Sequence, residues 1–250
     1  MGLFDFLKKS NSSAPPATAA EKKVSGPGKI IADKRAQTYD RAEAIAHLSA
    51  LETPEAAAAL LRRFTFSIDP SITDQEEKDA AYAGVVGVGK PAVPSILAFC
   101  ERAEVLTWPL RMLKEILDEE EYIKELLTLA DAQDTDYSRN VEPKIQVLSA
   151  LEEVRGDEVR AAAERFLEDS NENVRFHAIA ATFAQGDDAS VAPIVRSMFE
   201  EESVRIKNKI CDGFVHRTWK VPEDLLAQAQ KAMSDVSDFK LGADGIFTRR

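Results

Sequence analysis

Cysteine, tryptophan and histidine are nearly missing from this chain, with two, two and three residues among 250. Cys100 and Cys211 lie in separate apolar helical patterns, with no second thiol or histidine pair close by. That excludes a disulfide framework and a cysteine-rich metal site, and each reads as a buried free thiol. His47, His177 and His216 are isolated, with neither a His-x-x-x-His spacing nor a His-Glu dipeptide, so metal ligation has no pattern to rest on. No stretch approaches the ~18 consecutive apolar residues of a membrane span. The apolar start is too short for a secretory signal and is broken by Asp5. The expectation is a cytoplasmic protein. Phosphate-binding glycine motifs fail as well: AGVVGVGK (83–90) is followed by Pro91 where a P-loop needs Ser or Thr, and it reads as an inter-helix turn. No nucleophile–base pair is recognisable, so neither a catalytic residue nor a cofactor is expected.

What the chain has in plenty is alanine, leucine, glutamate and arginine, a helix-forming set. The formal charge is −11, unevenly spread. Residues 1–35 hold seven Lys/Arg against three Asp/Glu, a net of +4, while the remainder holds 25 against 40, a net of −15. An acidic body speaks against nucleic-acid binding, which needs a basic face to neutralise phosphates.

From about residue 38 the pattern is helical, broken roughly every 15 residues by turn signals. In YDRAEAIAHLSALETPEAAAALLRRF, Ile45, Leu48 and Leu51 mark one face of a helix. Thr53 then stands as N-cap with Pro54 at the first helical position, where its missing N–H is harmless. A second helix carries Ala57, Leu60, Leu61 and Phe64. Prolines recur at second-helix starts (Pro54, Pro94, Pro193, Pro222), and valines at first-helix starts (Val141, Val174, Val204). IAHLSALE (45–52) and IQVLSALE (145–152) repeat Ile-x-x-Leu-Ser-Ala-Leu-Glu at an offset that three units of ~33 residues would span. Six helix pairs are expected, over 38–67, 73–103, 106–133, 138–168, 171–201 and 203–234.

GVGKPAVPSIL (87–97), DSNENVRFHAIAATF (169–183) and ASVAPIVRSMF (189–199) resemble HEAT repeats of the short bacterial, phycobilisome-lyase-like kind, over roughly residues 38–234. The resemblance implies an all-α fold, an α-α superhelix or HEAT-like solenoid of about six helix pairs, and a protein-binding scaffold or adaptor as its function. Units three and six depart from the pattern, with DEEEYIKELL in place of a Gly-to-Pro turn and with CDGFVHRTWKVP. The rival reading is a HEAT-fold enzyme of the bilin-lyase or DNA-glycosylase type. Trp108 and Trp219 invite the second comparison, yet both stand beside helix starts as turn-packing residues, and the body lacks a basic groove.

Second helices of HEAT arrays usually line the concave side, where Arg63, Arg102, Arg160 and Arg196 would form a row suited to carboxylate or phosphate. Glu101 and Glu164 would partly cancel it. Glu200–Glu202 is expected to end a helix, where the dipole disfavours it, and is followed on the last unit by Arg205, Lys207, Lys209, Arg217 and Lys220, which read as a solvated face or, through Arg205 and Lys209, as contacts for an acidic partner. Asp118–Glu121 falls at a helix start, which carboxylates favour, with a docking patch as the other reading.

The ends are of two kinds. SDFKLGADGIFTRR, within 235–250, reads as a cap over the last repeat, formed around an Ala-Asp-Gly turn, with a free tail as the alternative. MGLFDFLKK (1–9) places Leu3, Phe4, Phe6 and Leu7 on one face of a helix and Lys8 and Lys9 on the other. It would be buried against an anionic membrane surface, a partner's groove or the repeat stack. The first of these would make the protein peripheral at the inner face of the membrane. Residues 10–37, rich in Ser, Ala, Pro and Lys, read as a flexible linker.

Overall fold

The computed structural model describes residues 19–250, with side chains from residue 23. Among these residues the chain forms thirteen α-helices and one short hairpin. The helices are α1 (Ala19–Ile31), α2 (Thr38–Ser49), α3 (Pro54–Leu61), α4 (Ser71–Val88), α5 (Val93–Cys100), α6 (Thr107–Ile116), α7 (Glu119–Asp131), α8 (Glu142–Leu151), α9 (Asp157–Glu164), α10 (Glu172–Gln185), α11 (Val191–Ser197), α12 (Val204–Arg217) and α13 (Glu223–Ala232). β1 (Phe239–Leu241) and β2 (Phe247–Arg249) pair antiparallel. No single helix among the described residues is long and apolar enough to cross a membrane.

Starts and stops follow local chemistry. Thr53 accepts a hydrogen bond from the Ala56 N–H at 3.2 Å, with Pro54 opening α3. Asp118 and Glu121 form a reciprocal capping box at α7, at 3.0 and 3.3 Å. Asn171 and Ser203 cap α10 and α12 by accepting from backbone N–H groups of the first turn. Each such cap is worth roughly 1 kcal/mol. Gly89 and Gly186, at φ 71° and 69°, end α4 and α10 in backbone that side chains disfavour.

The linker expected over 10–37 is helical over Ala19–Ile31. Gly26, Pro27 and Gly28 read as breakers, but α1 packs on α2 and α3 and buries Ile31 completely. Gly28 is part of the reason: a Cβ there would lie only 3.3 Å from the Ala59 Cβ. Burial of the helix face overrides poor local propensity.

The chain divides into two compact units after Ser95. In the first, α2 and α3 pack against α4 around an ion network. Arg41 Nε donates to both Glu77 oxygens at 2.9 and 3.1 Å, and Arg63 Nε donates to Glu77 Oε2 at 2.6 Å. Arg63 also reaches Asp74 at 2.7 Å. Arg63 is fully buried, Arg41 3% exposed and Glu77 5% exposed, so these charges lie inside the core. Burial pushes the Asp74 carboxyl up, but hydrogen bonds from Lys78, Arg63 and the Ile68 N–H outweigh it and hold the group below its ordinary value.

In the second unit α8, α10 and α12 pack in sequence, as do α7 with α9 and α11 with α13. Bonds between elements recur at similar separations along the chain. Gln185 donates to the Leu151 carbonyl 34 residues back, and Arg217 to the Phe183 carbonyl 34 back. Arg165 reaches the Ala130 carbonyl 35 back. The hairpin packs on α12, with the Phe247 ring 5.3 Å from Phe214, which also meets Trp219 at 5.7 Å. Gly245, at φ 80°, makes its turn, and the Asp244 carboxylate accepts from the Ile246 N–H.

Candidate functional site

Of the sequence-predicted arginines, two are already paired with carboxylates and two are exposed. Arg63 is consumed by the buried network with Glu77 and Asp74. Arg102 is exposed but lies in the turn beyond the end of α5. Arg160 is occupied by Glu164 at 3.0 Å and Asp187 at 3.1 Å. Arg196 is exposed on α11, in a depression shared with Arg175 and Glu200–Glu202. The acidic triplet does not end a helix as expected: α11 stops at Ser197, and Glu201 turns inward. Glu201 accepts both arms of Arg175 at 2.8 and 2.9 Å, and the Ser203 N–H at the start of α12.

Arg205 and Lys209, one turn apart on α12, do come together. Both cover the Phe176 ring of α10, at 3.9 and 4.2 Å from its centroid. Arg205 is also tied to Glu172 at 3.1 Å. Burial pulls the Lys209 ammonium below its ordinary value, and Arg205 adds to this against the pull of Glu152 and Asp212. His177, beside Phe176, is likewise lowered, first by burial and then by Lys209 and Arg205. The neighbouring Arg249 is paired with Asp212. Arg205 and Arg249 are thus each matched by a carboxylate, whereas Lys209 makes no ion pair among the described residues. Leu3, Phe4, Phe6, Leu7, Lys8 and Lys9 lie outside the described residues.

A different surface stands out, on α7 and α9. α7 buries Tyr122, Leu126, Leu129 and Ala130, but its Ile123 and Leu127 remain only half-buried. α9 buries Val159 and Ala163 and leaves Ala161 exposed and Ala162 half-buried on the facing side. Between them runs an open groove of ≈ 1230 Å³. Its floor is Ile123, Leu127, Ala161 and Ala162, and its rim carries five carboxylates against Lys124 and Arg165. Glu119–Glu121 and Glu158, from the first turns of both helices, mark one end. Arg165 and Asp131, 3.5 Å apart, mark the other, so α7 and α9 run parallel. Sequence reasoning took Asp118–Glu121 as a helix start, which it is, but missed the groove, because Ala161 and Ala162 come from a helix far along the chain. The half-buried Ile123 and Leu127, one turn apart on a face not needed for the core, were the available signal.

Both thiols are buried, and burial pushes Cys100 and Cys211 up to about 12, which leaves them unreactive. Among the described residues no three His, Cys, Asp or Glu side chains are grouped to hold a metal ion. Comparison of the chain with protein-family models, with curated proteins and with solved structures gives no match.

Proposed function

We propose that the chain is a protein-binding scaffold, not an enzyme, built on stacked helix pairs of HEAT type. Supporting the repeat reading, each of the six spans marked out in the sequence contains two helices, from α2–α3 to α12–α13. Within the second unit α8, α10 and α12 pack in succession, as do α7 with α9 and α11 with α13, with bonds near one repeat length apart. Such an array buries its core between neighbours and leaves a continuous outer surface for partners. The amphipathic residues 1–9 would position the scaffold at a partner or an anionic membrane.

The observation that carries the function is the apolar-floored groove between α7 and α9. Partly exposed Ile123 and Leu127 in a concave site are what a partner's apolar side chains bury. A photoreactive amino acid placed at Leu127, with exposed Ser149 on α8 as the control position, tests this in cells that make the protein. A polypeptide crosslinked at position 127 and not at 149, which then binds the purified protein in a two-component titration, supports the scaffold. Equal or absent crosslinking at both positions overturns it.

A further inference from the structure

We propose that the groove between α7 and α9 is the docking site of a lysine- or arginine-rich amphipathic helix from a partner protein. This rests on the scaffold reading and adds the partner's chemistry and direction. The shape selects a helix. Two parallel helices leave a furrow whose long wall, the 13 residues of α7, runs about 18 Å. Ile123 and Leu127 offer apolar contacts one turn apart, the spacing at which an incoming helix presents its own apolar stripe. Ala161 and Ala162, with only methyl groups, leave room for that helix to come close.

The charge selects a basic helix. The lining carries a net −3, and among the described residues Glu119, Glu120 and Glu158 have no cation within 4 Å. Partnerless carboxylates flanking an apolar strip fit lysines or arginines on both sides of an apolar stripe. Their placement also sets direction. The acids cluster where α7 and α9 begin, so the helix that fits best brings its own C-terminal turn there, with basic residues in that turn. Its dipole then opposes those of α7 and α9, and its basic last turn meets the carboxylates.

The test is fluorescence anisotropy at physiological salt with the full-length protein and three designed 16-residue labelled peptides. All carry leucines at i, i+3, i+4 and i+7. One has lysines flanking the stripe and filling the last turn, one has those last-turn lysines moved to the first turn, and one has glutamates throughout. The first should bind at least about 10-fold more tightly than the glutamate peptide, and measurably more tightly than the reversed one. Ala161→Arg fills the furrow at an exposed helical position that tolerates arginine, and should weaken binding about 10-fold with circular dichroism unchanged. Glu43→Lys with Glu76→Lys, an equal or larger charge change at exposed positions of the first unit, should leave binding within about 2-fold. Equal loss in that control, no loss in Ala161→Arg, or no preference for lysine over glutamate overturns the proposal. A Leu127 crosslink to a partner without a basic helix overturns it too while leaving the scaffold standing, whereas loss of the Leu127 crosslink removes both.

Discussion

Replacing Glu77 by glutamine keeps the volume of the side chain and removes the one charge that two buried guanidiniums share. Arg63 would retain Asp74 at 2.7 Å and the Phe66 carbonyl at 3.1 Å. Arg41 would retain the neutral amide oxygen at position 77, the Ala36 carbonyl and a long contact of 3.4 Å to the Thr38 hydroxyl. Arg41 thus becomes a cation 3% exposed with no carboxylate partner. Removing one member of a buried ion pair costs about 3–5 kcal/mol, because the remaining charge stays desolvated. With a urea dependence near 2 kcal/mol/M, that lowers the midpoint by about 2 M. Both tryptophans lie beyond residue 95, so their fluorescence does not report the first unit. Hydrogen exchange over α2, α3 and α4 is the better assay. Glu77→Gln should raise exchange throughout those helices. The combined change Arg41→Met, Arg63→Met and Glu77→Leu should recover most of the loss, since an apolar replacement leaves no stranded charge. Asp74 keeps Lys78 at 2.7 Å in that variant. A loss below about 1 kcal/mol in Glu77→Gln, or no recovery in the triple variant, would refute the uncompensated-charge argument.

Gly213→Ala drives a Cβ into the Phe183 ring, so it should destabilise by about 1–3 kcal/mol and disturb the fluorescence of Trp219, whose ring lies 5.7 Å from Phe183. An unchanged spectrum and melting curve would contradict the close packing of α12 on α10. NMR titration should place His177 below 6.5, and Lys209→Met should move it upward by removing a neighbouring positive charge; an unmoved value refutes the pairing. Asp74 and Glu201 are both held below their ordinary values, so the folded form binds fewer protons there. Their contribution is complete above the unfolded carboxylate range and is lost as pH falls through about 4 and lower. Urea midpoints measured from pH 6 down to pH 3 should therefore decline, and Arg175→Gln should flatten the decline by removing the partner of Glu201.

Helix boundaries were the most legible feature of the sequence, because capping is local chemistry. Thr53-Pro54, Asp118–Glu121 and the glycines that end α4 and α10 act through contacts within a few residues. The same reasoning missed α1, whose Gly-Pro-Gly core is a poor helix former held by α2 and α3. It also placed Arg63 on a surface. The run DQEEKD around Glu77 has the look of a solvated helix face, and nothing local says that α4 returns this carboxylate to arginines 36 and 14 residues earlier. The C-terminal strands were hidden for a related reason: three residues each, they alternate too briefly to show a period, and Phe247 finds its burial on α12.

These long-range pairings are the reason the proposal turns to a basic partner. Read along the sequence, the basic residues are the ones that stand out, and an acidic partner follows. In the folded chain many of the cations are already engaged: Arg41 and Arg63 with Glu77, Arg160 with Glu164 and Asp187, Arg175 with Glu201, Arg205 with Glu172, Lys207 with Asp235. Most of these bonds join segments well separated along the chain, so the cations serve cohesion. A body with 40 acids and 25 cations then has its unspent charge on the acidic side. Where such carboxylates border half-buried leucine and isoleucine, as at Glu119, Glu120 and Glu158 around the α7–α9 groove, apolar burial and charge neutralisation reward the same ligand. A basic amphipathic helix meets both demands, and an acidic one meets only the first.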